Sequence, residues 1–273
     1  MPALMTSRPL FERQMRSSAS PTLGWTHHDI APHASATEVI VSVGHDFIET
    51  RRELQRIATH ILARARFEDE QRFGLRVTPS GIGTPRFGPD VAVRLAGATL
   101  IREHRVDGVE RTTALPIDGR SLAEMAVVAQ VDLEVDFSAG DDTPSRGPID
   151  APISLDPTAV VQIMTWLHLG QVALDSVIAS VTDPSIAQLW PEHFDVGLDV
   201  QTSHGRANLG ASPGDAFSPV PYLYVAPWGA ERPGDPAFWN APFGATMTAE
   251  AGVDEAETAA AFFLTGLRHL GEG

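Results

Sequence analysis

From Asp46 to about Arg66, apolar side chains recur every three or four positions, at Phe47, Leu54, Ile57, Ala58, Ile61, Leu62 and Ala65, opposite Glu49, Arg52, Glu53, Arg56 and His60. That period predicts an amphipathic helix with one buried face. Next come the short runs FGLRVTP, DVAVRLAG, ATLIREHR and GVERTTALPI, broken by Gly, Pro and Asp-Gly, which read as an antiparallel meander. Ser121 to Gln130 reads as a short helix, and the alternation in VDLEVDF predicts one more strand. Residues 1–36 show little periodicity and are rich in Ser, Pro, Thr and His, the pattern of an arm lying on the surface or on a partner subunit, with Trp25 as its exception.

The segment 138–152, SAGDDTPSRGPIDAP, has the composition of a linker. Asp156 followed by Pro157 is a helix start, a capping side chain before a proline in the first turn, and Asp183 with Pro184 ends that helix near Val181. Strands at FDVGLDVQT, Gly205 to Gly210 and PYLYVAP precede a last helix from about Glu255 to Leu270, closed by Gly271. The expected fold class is therefore α+β, with long helices packed on antiparallel sheet. It divides into two similar halves, 37–137 and 153–273, with a cavity between helix and sheet as the place for a ligand.

Composition narrows the chemistry. All 20 basic residues are arginine and no residue is cysteine, so lysine Schiff bases, PLP, P-loop lysines, thiolate nucleophiles, iron–sulfur clusters and thiolate zinc are excluded. A net charge of −15 over 273 residues repels phosphate backbones and anionic membranes, so neither nucleic acid nor a membrane is expected as a partner. No apolar run reaches membrane-span length and the start lacks the apolar core of a signal peptide, which together predict a cytoplasmic protein.

The remaining candidates are His, carboxylate, Tyr and Arg. The densest segment is LWPEHFDVGLDV, where an extended backbone would put His193 and Asp195 on one face beside Glu192. Such a set serves as a base with its orienting carboxylate, or as a divalent-metal site with His193 and Asp195 as ligands. On the central helix, His168, Gln171 and Asp175 share a stripe in which Asp175 would orient the His168 ring; a solvent-facing stripe explains the same spacing. Tyr222 and Tyr224 lie two apart on a strand and would line a ligand cavity. Arg76 and Arg206, each beside a glycine-rich loop, would clamp an anionic group. His45, Asp46 and Glu49 suit a helix N-terminus without any ligand. Gly81-Ile-Gly83 does not open a helix, so it is no dinucleotide fingerprint, and Ser212 lacks the context of a hydrolase elbow.

The strings TPSGIGTPRFG, LWPEHFD, NLGASPGD and PYLYVAPW resemble those of a family of uncharacterised bacterial proteins, over about Val41 to Leu270. The resemblance implies that the loops bearing them face one another and carries no activity or cofactor. The residues themselves predict a small-molecule-binding protein with acid–base or metal-assisted activity of hydrolase or isomerase type, its catalytic groups drawn from His193, Glu192, Asp195 and His168. The alternatives are a non-catalytic ligand-binding protein and a homo-oligomer in which the arm, with Trp25, His27, His28 and His33, docks on a neighbouring chain.

Overall fold

The computed structural model describes residues 43–249, Val253 and 255–271; the N-terminal arm and its Trp25, His27, His28 and His33 lie outside the described residues. The first helical rod has three parts, α1 (His45–Ile57), a π-helical turn (Ala58–Ala63) and α2 (Arg64–Glu70). It is followed by β1 (Arg76–Thr78), β2 (Gly81–Gly83), β3 (Val91–Ala96), β4 (Thr99–Val106), β5 (Val109–Pro116) and α3 (Leu122–Ala129). A long irregular stretch then leads to α4 (Pro157–Ile178). The chain continues through β6 (Gln188–Trp190), β7 (Asp195–Thr202), β8 (Gly205–Ser212), β9 (Tyr222–Pro227), β10 (Ala245–Thr248) and α5 (Ala256–His269).

The chain is an α+β protein with two five-stranded antiparallel meanders, β1 to β5 and β6 to β10, each in sequence order. Leu75 and Leu189 join the two sheets by exchanging backbone hydrogen bonds, each 2.9 Å. Val196, Leu198 and Val200 of β7, with Leu209 and Ala211 of β8 and Leu223 and Val225 of β9, form one apolar face of the second sheet. Helix α4 packs there so closely that a Cβ at Gly170 would lie 2.4 Å from that of Ala211, and α5 packs Gly266 against Val225. Trp166, Leu167, Leu174 and Val177 of α4 are fully buried in this layer.

Local chemistry sets the ends of the elements. Asp156 caps α4 by accepting from the Ala159 N–H at 2.7 Å, with Pro157 in the first turn. Ser121 and Glu124 form a reciprocal capping box on α3. The segment VDLEVDF is not a strand. Only Leu133 of its alternating residues is fully buried, and the carbonyls of Leu133 and Val135 are held by the Arg146 and Arg64 guanidinium groups instead of by a ladder. Arg64 and His60 of the first rod thus face this stretch, His60 Nε2 meeting the Pro144 carbonyl at 2.8 Å. His60 is buried, not on a solvent face, because 131–148 covers the side of the rod that the helical period marks as polar. Gly81-Ile-Gly83 is itself a strand, with the turn before it at Pro79 and Ser80.

Candidate functional site

The face of the second sheet turned away from α4 and α5 carries Asp195, Gly197 and Asp199 of β7, Arg206, Asn208, Gly210 and Ser212 of β8, and Tyr222 and Tyr224 of β9. Two glycines make room for one aromatic ring. A Cβ at Gly210 would lie 2.4 Å from Tyr224 Cζ and Oη, and one at Gly197 would lie 2.9 Å from the same hydroxyl. The Tyr224 ring therefore lies across bare backbone, and its hydroxyl donates to Asp195 Oδ2 at 2.5 Å. Tyr222, with its ring 6.3 Å from that of Tyr224, donates to Asp215 Oδ2 at 2.6 Å. Asp215 also accepts from the Phe217 and Ser218 amides. Arg51 of α1 reaches this loop, donating to the Pro219 carbonyl at 3.3 Å and facing Asp215 and Tyr222.

Glu192 comes from the turn that precedes β7. Two side chains of the first rod fix its backbone: Gln55 Nε2 donates to the Glu192 carbonyl at 2.7 Å, and Thr59, in the π-helical turn, donates to the Pro191 carbonyl at 3.0 Å. A π turn at such a contact is the usual company of a functional segment. The turn closes with the Phe194 N–H on the Trp190 carbonyl at 2.7 Å and puts Phe194 at φ 55°. Phe194 is buried despite that left-handed backbone.

That φ changes how His193 and Asp195 are placed relative to each other, although the charge of His193 still acts on Asp195 and Glu192. The strand starts only at Asp195, so the two-residue alternation does not reach back to His193, which is exposed while Asp195 and Glu192 are buried. The carboxylates, not the histidine, point into the protein. His168, Gln171 and Asp175 lie on α4, on the other side of the sheet, and Asp175 accepts from Gln171 Nε2 at 2.8 Å. Arg76 is exposed in β1 of the first sheet. Arg206 shares the polar face but is committed to Asp199 and to Asp183, the latter at 2.8 Å. The site residues drawn together are thus Glu192, Asp195, Tyr222 and Tyr224, joined by Asp215 and Arg51.

Burial dominates the electrostatics. It pushes the Glu192 carboxyl up from its ordinary 4.5 to about 7, with Asp195 and Asp142 adding to the rise and His193 opposing it. It also raises Asp195, against the opposing pull of His193 and the Tyr224 hydroxyl. Both tyrosines are pushed up, by burial first and then by the carboxylates they face, so they serve as hydrogen-bond donors and not as bases. One oxygen of each acid, Glu192 Oε2 and Asp195 Oδ1, is buried without a hydrogen-bond partner. Among the described residues no three His, Asp or Glu side chains converge as a metal site. No described helix is long and apolar enough to cross a membrane.

What these elements define is a class by architecture: an α+β protein of two joined antiparallel meanders, with a buried acid and tyrosine cluster on the polar face of the second. No family model, curated protein or solved structure matches the chain.

Proposed function

We propose that the protein is a cytoplasmic small-molecule-binding protein whose ligand meets Glu192, Asp195, Tyr222 and Tyr224, with Glu192 exchanging a proton with it. The observation that carries this reading is that Glu192 and Asp195 each bury a carboxylate oxygen without a hydrogen-bond partner and, unlike Asp199, whose Oδ2 also lacks one but whose Oδ1 is held by Arg206, have no arginine paired with them among the described residues. A carboxyl titrating near neutrality is also what a general acid or base requires, which favours an isomerase or hydrolase type of reaction as the second reading. With His193 exposed and His168 across the sheet, Glu192 is the proton-transfer group and the tyrosines orient the ligand.

The test is a thermal-shift screen of a metabolite library against the wild type, Glu192→Gln and Asp195→Asn, alongside native mass spectrometry of the untagged protein. The expected result is a compound, retained or screened, that raises the wild-type melting temperature and has lost that effect on both variants. A library without such a compound, together with no retained organic mass, refutes the proposal.

A further inference from the structure

Four carboxylates are buried among the described residues, Glu103, Glu192, Asp195 and Asp199. Two of them are neutralised by arginine. Glu103 accepts from Arg94 Nε at 2.8 Å and Arg86 at 3.2 Å, and Asp199 is bound by Arg206 Nε. One buried acid in a strand of each sheet, Glu103 in β4 and Asp199 in β7, is thus paired with a guanidinium. Among the described residues, Glu192 and Asp195 receive none, and no ion pair reaches either. The nearest arginine of the cluster, Arg51, stands beside Asp215, whose carboxylate already has Tyr222 and two backbone amides as donors.

We propose that the missing cation belongs to the ligand, and that this site takes an organic ammonium group, its N–H donors filling Glu192 Oε2 and Asp195 Oδ1. The inference rests on the ligand-binding reading of the same cluster. An ammonium carries both things the pair lacks, a positive charge and hydrogen-bond donors, whereas a neutral ligand would supply only the second. The charged surroundings agree. Asp142 from the 138–143 loop and Asp215 from the loop before β9 add negative potential, and His193, next in sequence to Glu192, is the titratable group that opposes it. A Cβ on Gly140 would sit 3.8 Å from Glu192 Oε1, so the same loop passes beside the carboxyl.

Binding an ammonium to a carboxyl that is half-protonated near neutrality displaces a proton, so affinity rises with pH until Glu192 is fully ionised. The probes are n-butylammonium chloride, the neutral isostere n-butanol and the anion butyrate, each titrated at about pH 8 and about pH 5. The readout is the carbon-13 carboxyl signals of Glu192 and Asp195, assigned with Glu192→Gln and Asp195→Asn. Expected are a saturable shift of both signals by n-butylammonium, an affinity at least roughly tenfold above that of n-butanol, and a loss of about tenfold or more at the lower pH. Glu192→Gln, which keeps the shape and loses the charge, weakens n-butylammonium by roughly tenfold and n-butanol by much less. Stronger binding of n-butanol or butyrate to these residues overturns the ammonium assignment while keeping a ligand site. Silence from all three probes, together with a failed library screen, overturns the ligand reading itself.

Discussion

Glu192→Gln should stabilise the protein at alkaline pH and do nothing in acid. In the unfolded chain the carboxyl titrates near its ordinary 4.5, and in the folded protein near 7. Below 4.5 both states carry the proton and burial costs little. Between the two values the unfolded chain has released its proton and the folded one has not, so the unfolded state binds fewer protons and stability falls as pH rises. Above 7 the full cost is present. A move from 4.5 to about 7 corresponds to about 3 kcal/mol at 1.36 kcal/mol per tenfold, and Glu192 is only 7% exposed, so solvent screening removes little of it. Glutamine retains the volume and the hydrogen-bonding edge without the charge. Its stability should equal that of the wild type near pH 4 and exceed it by roughly 2–3 kcal/mol near pH 8.5, a melting shift of about 5–10 °C for a chain of this size. Urea unfolding followed by tryptophan fluorescence at a series of pH values reads this directly. A variant equally or less stable than wild type at alkaline pH would show that Glu192 is ionised and satisfied when folded, and the site as described would fall.

Tyr224→Phe removes the tyrosine hydrogen bond to Asp195 Oδ2 and should cost about 1.5–3 kcal/mol by urea unfolding near pH 8, with less loss near pH 5, where Asp195 is closer to neutral. Gly210→Ala drives a methyl into the Tyr224 ring, 2.4 Å from Cζ, and should cost about 1–3 kcal/mol or more, accompanied by a change in the near-ultraviolet circular dichroism of the tyrosines. An unchanged spectrum and stability would mean that the ring does not lie on β8. His60, lowered from 6.5 mainly by burial and then by Arg64, Arg146 and Arg56, is kept neutral in the fold. The unfolded chain takes up its proton first, so stability contributed by neutral His60 is lost as pH falls below 6.5, and His60→Gln should flatten that acid limb of the unfolding profile.

The elements that carry their own boundary chemistry were legible from the residues. The capped start at Asp156 and Pro157 places the beginning of α4, and the short helix expected over Ser121 to Gln130 matches α3 within a residue at each end. The alternating runs of β3, β4, β5 and β7 to β9 likewise match the observed strands. β2, read as a turn, and two further strands left no pattern. β6 has three residues and β10 four, too few for alternation to register, and each exists because a longer neighbour offers its edge. VDLEVDF shows the converse error: perfect alternation without a partner strand, its carbonyls drawn off by arginines more than ten residues away in sequence. The period of the first rod placed His60 on the solvent side, but only the tertiary position of 131–148 decides what that side meets.

At the candidate site, residue density pointed to the segment that carries Glu192 and Asp195, but not to which of its side chains the fold buries. LWPEHFD concentrates three ionisable groups, yet one torsion, the positive φ of Phe194, separates exposed His193 from buried Asp195, and nothing in Phe-Asp requires a left-handed phenylalanine. That torsion is set at a distance, by Gln55 and Thr59 holding the preceding carbonyls and by the burial of the Phe194 ring itself. Tyr224 was recognisable as a site residue, but its partner depends on Gly197 and Gly210 lying opposite each other in the β7–β8 ladder, a register that two separate strings cannot state. Arg51 had no signal at all, being one charge in a run of Arg and Glu along α1. Its role comes from the 212–221 loop arriving 168 residues away at Pro219. The chemistry therefore depends on whether an acid buried by the fold also meets a cation brought by the fold. Asp199 and Glu103 do; among the described residues Glu192 and Asp195 do not, and the ligand reading proposed above rests on that difference.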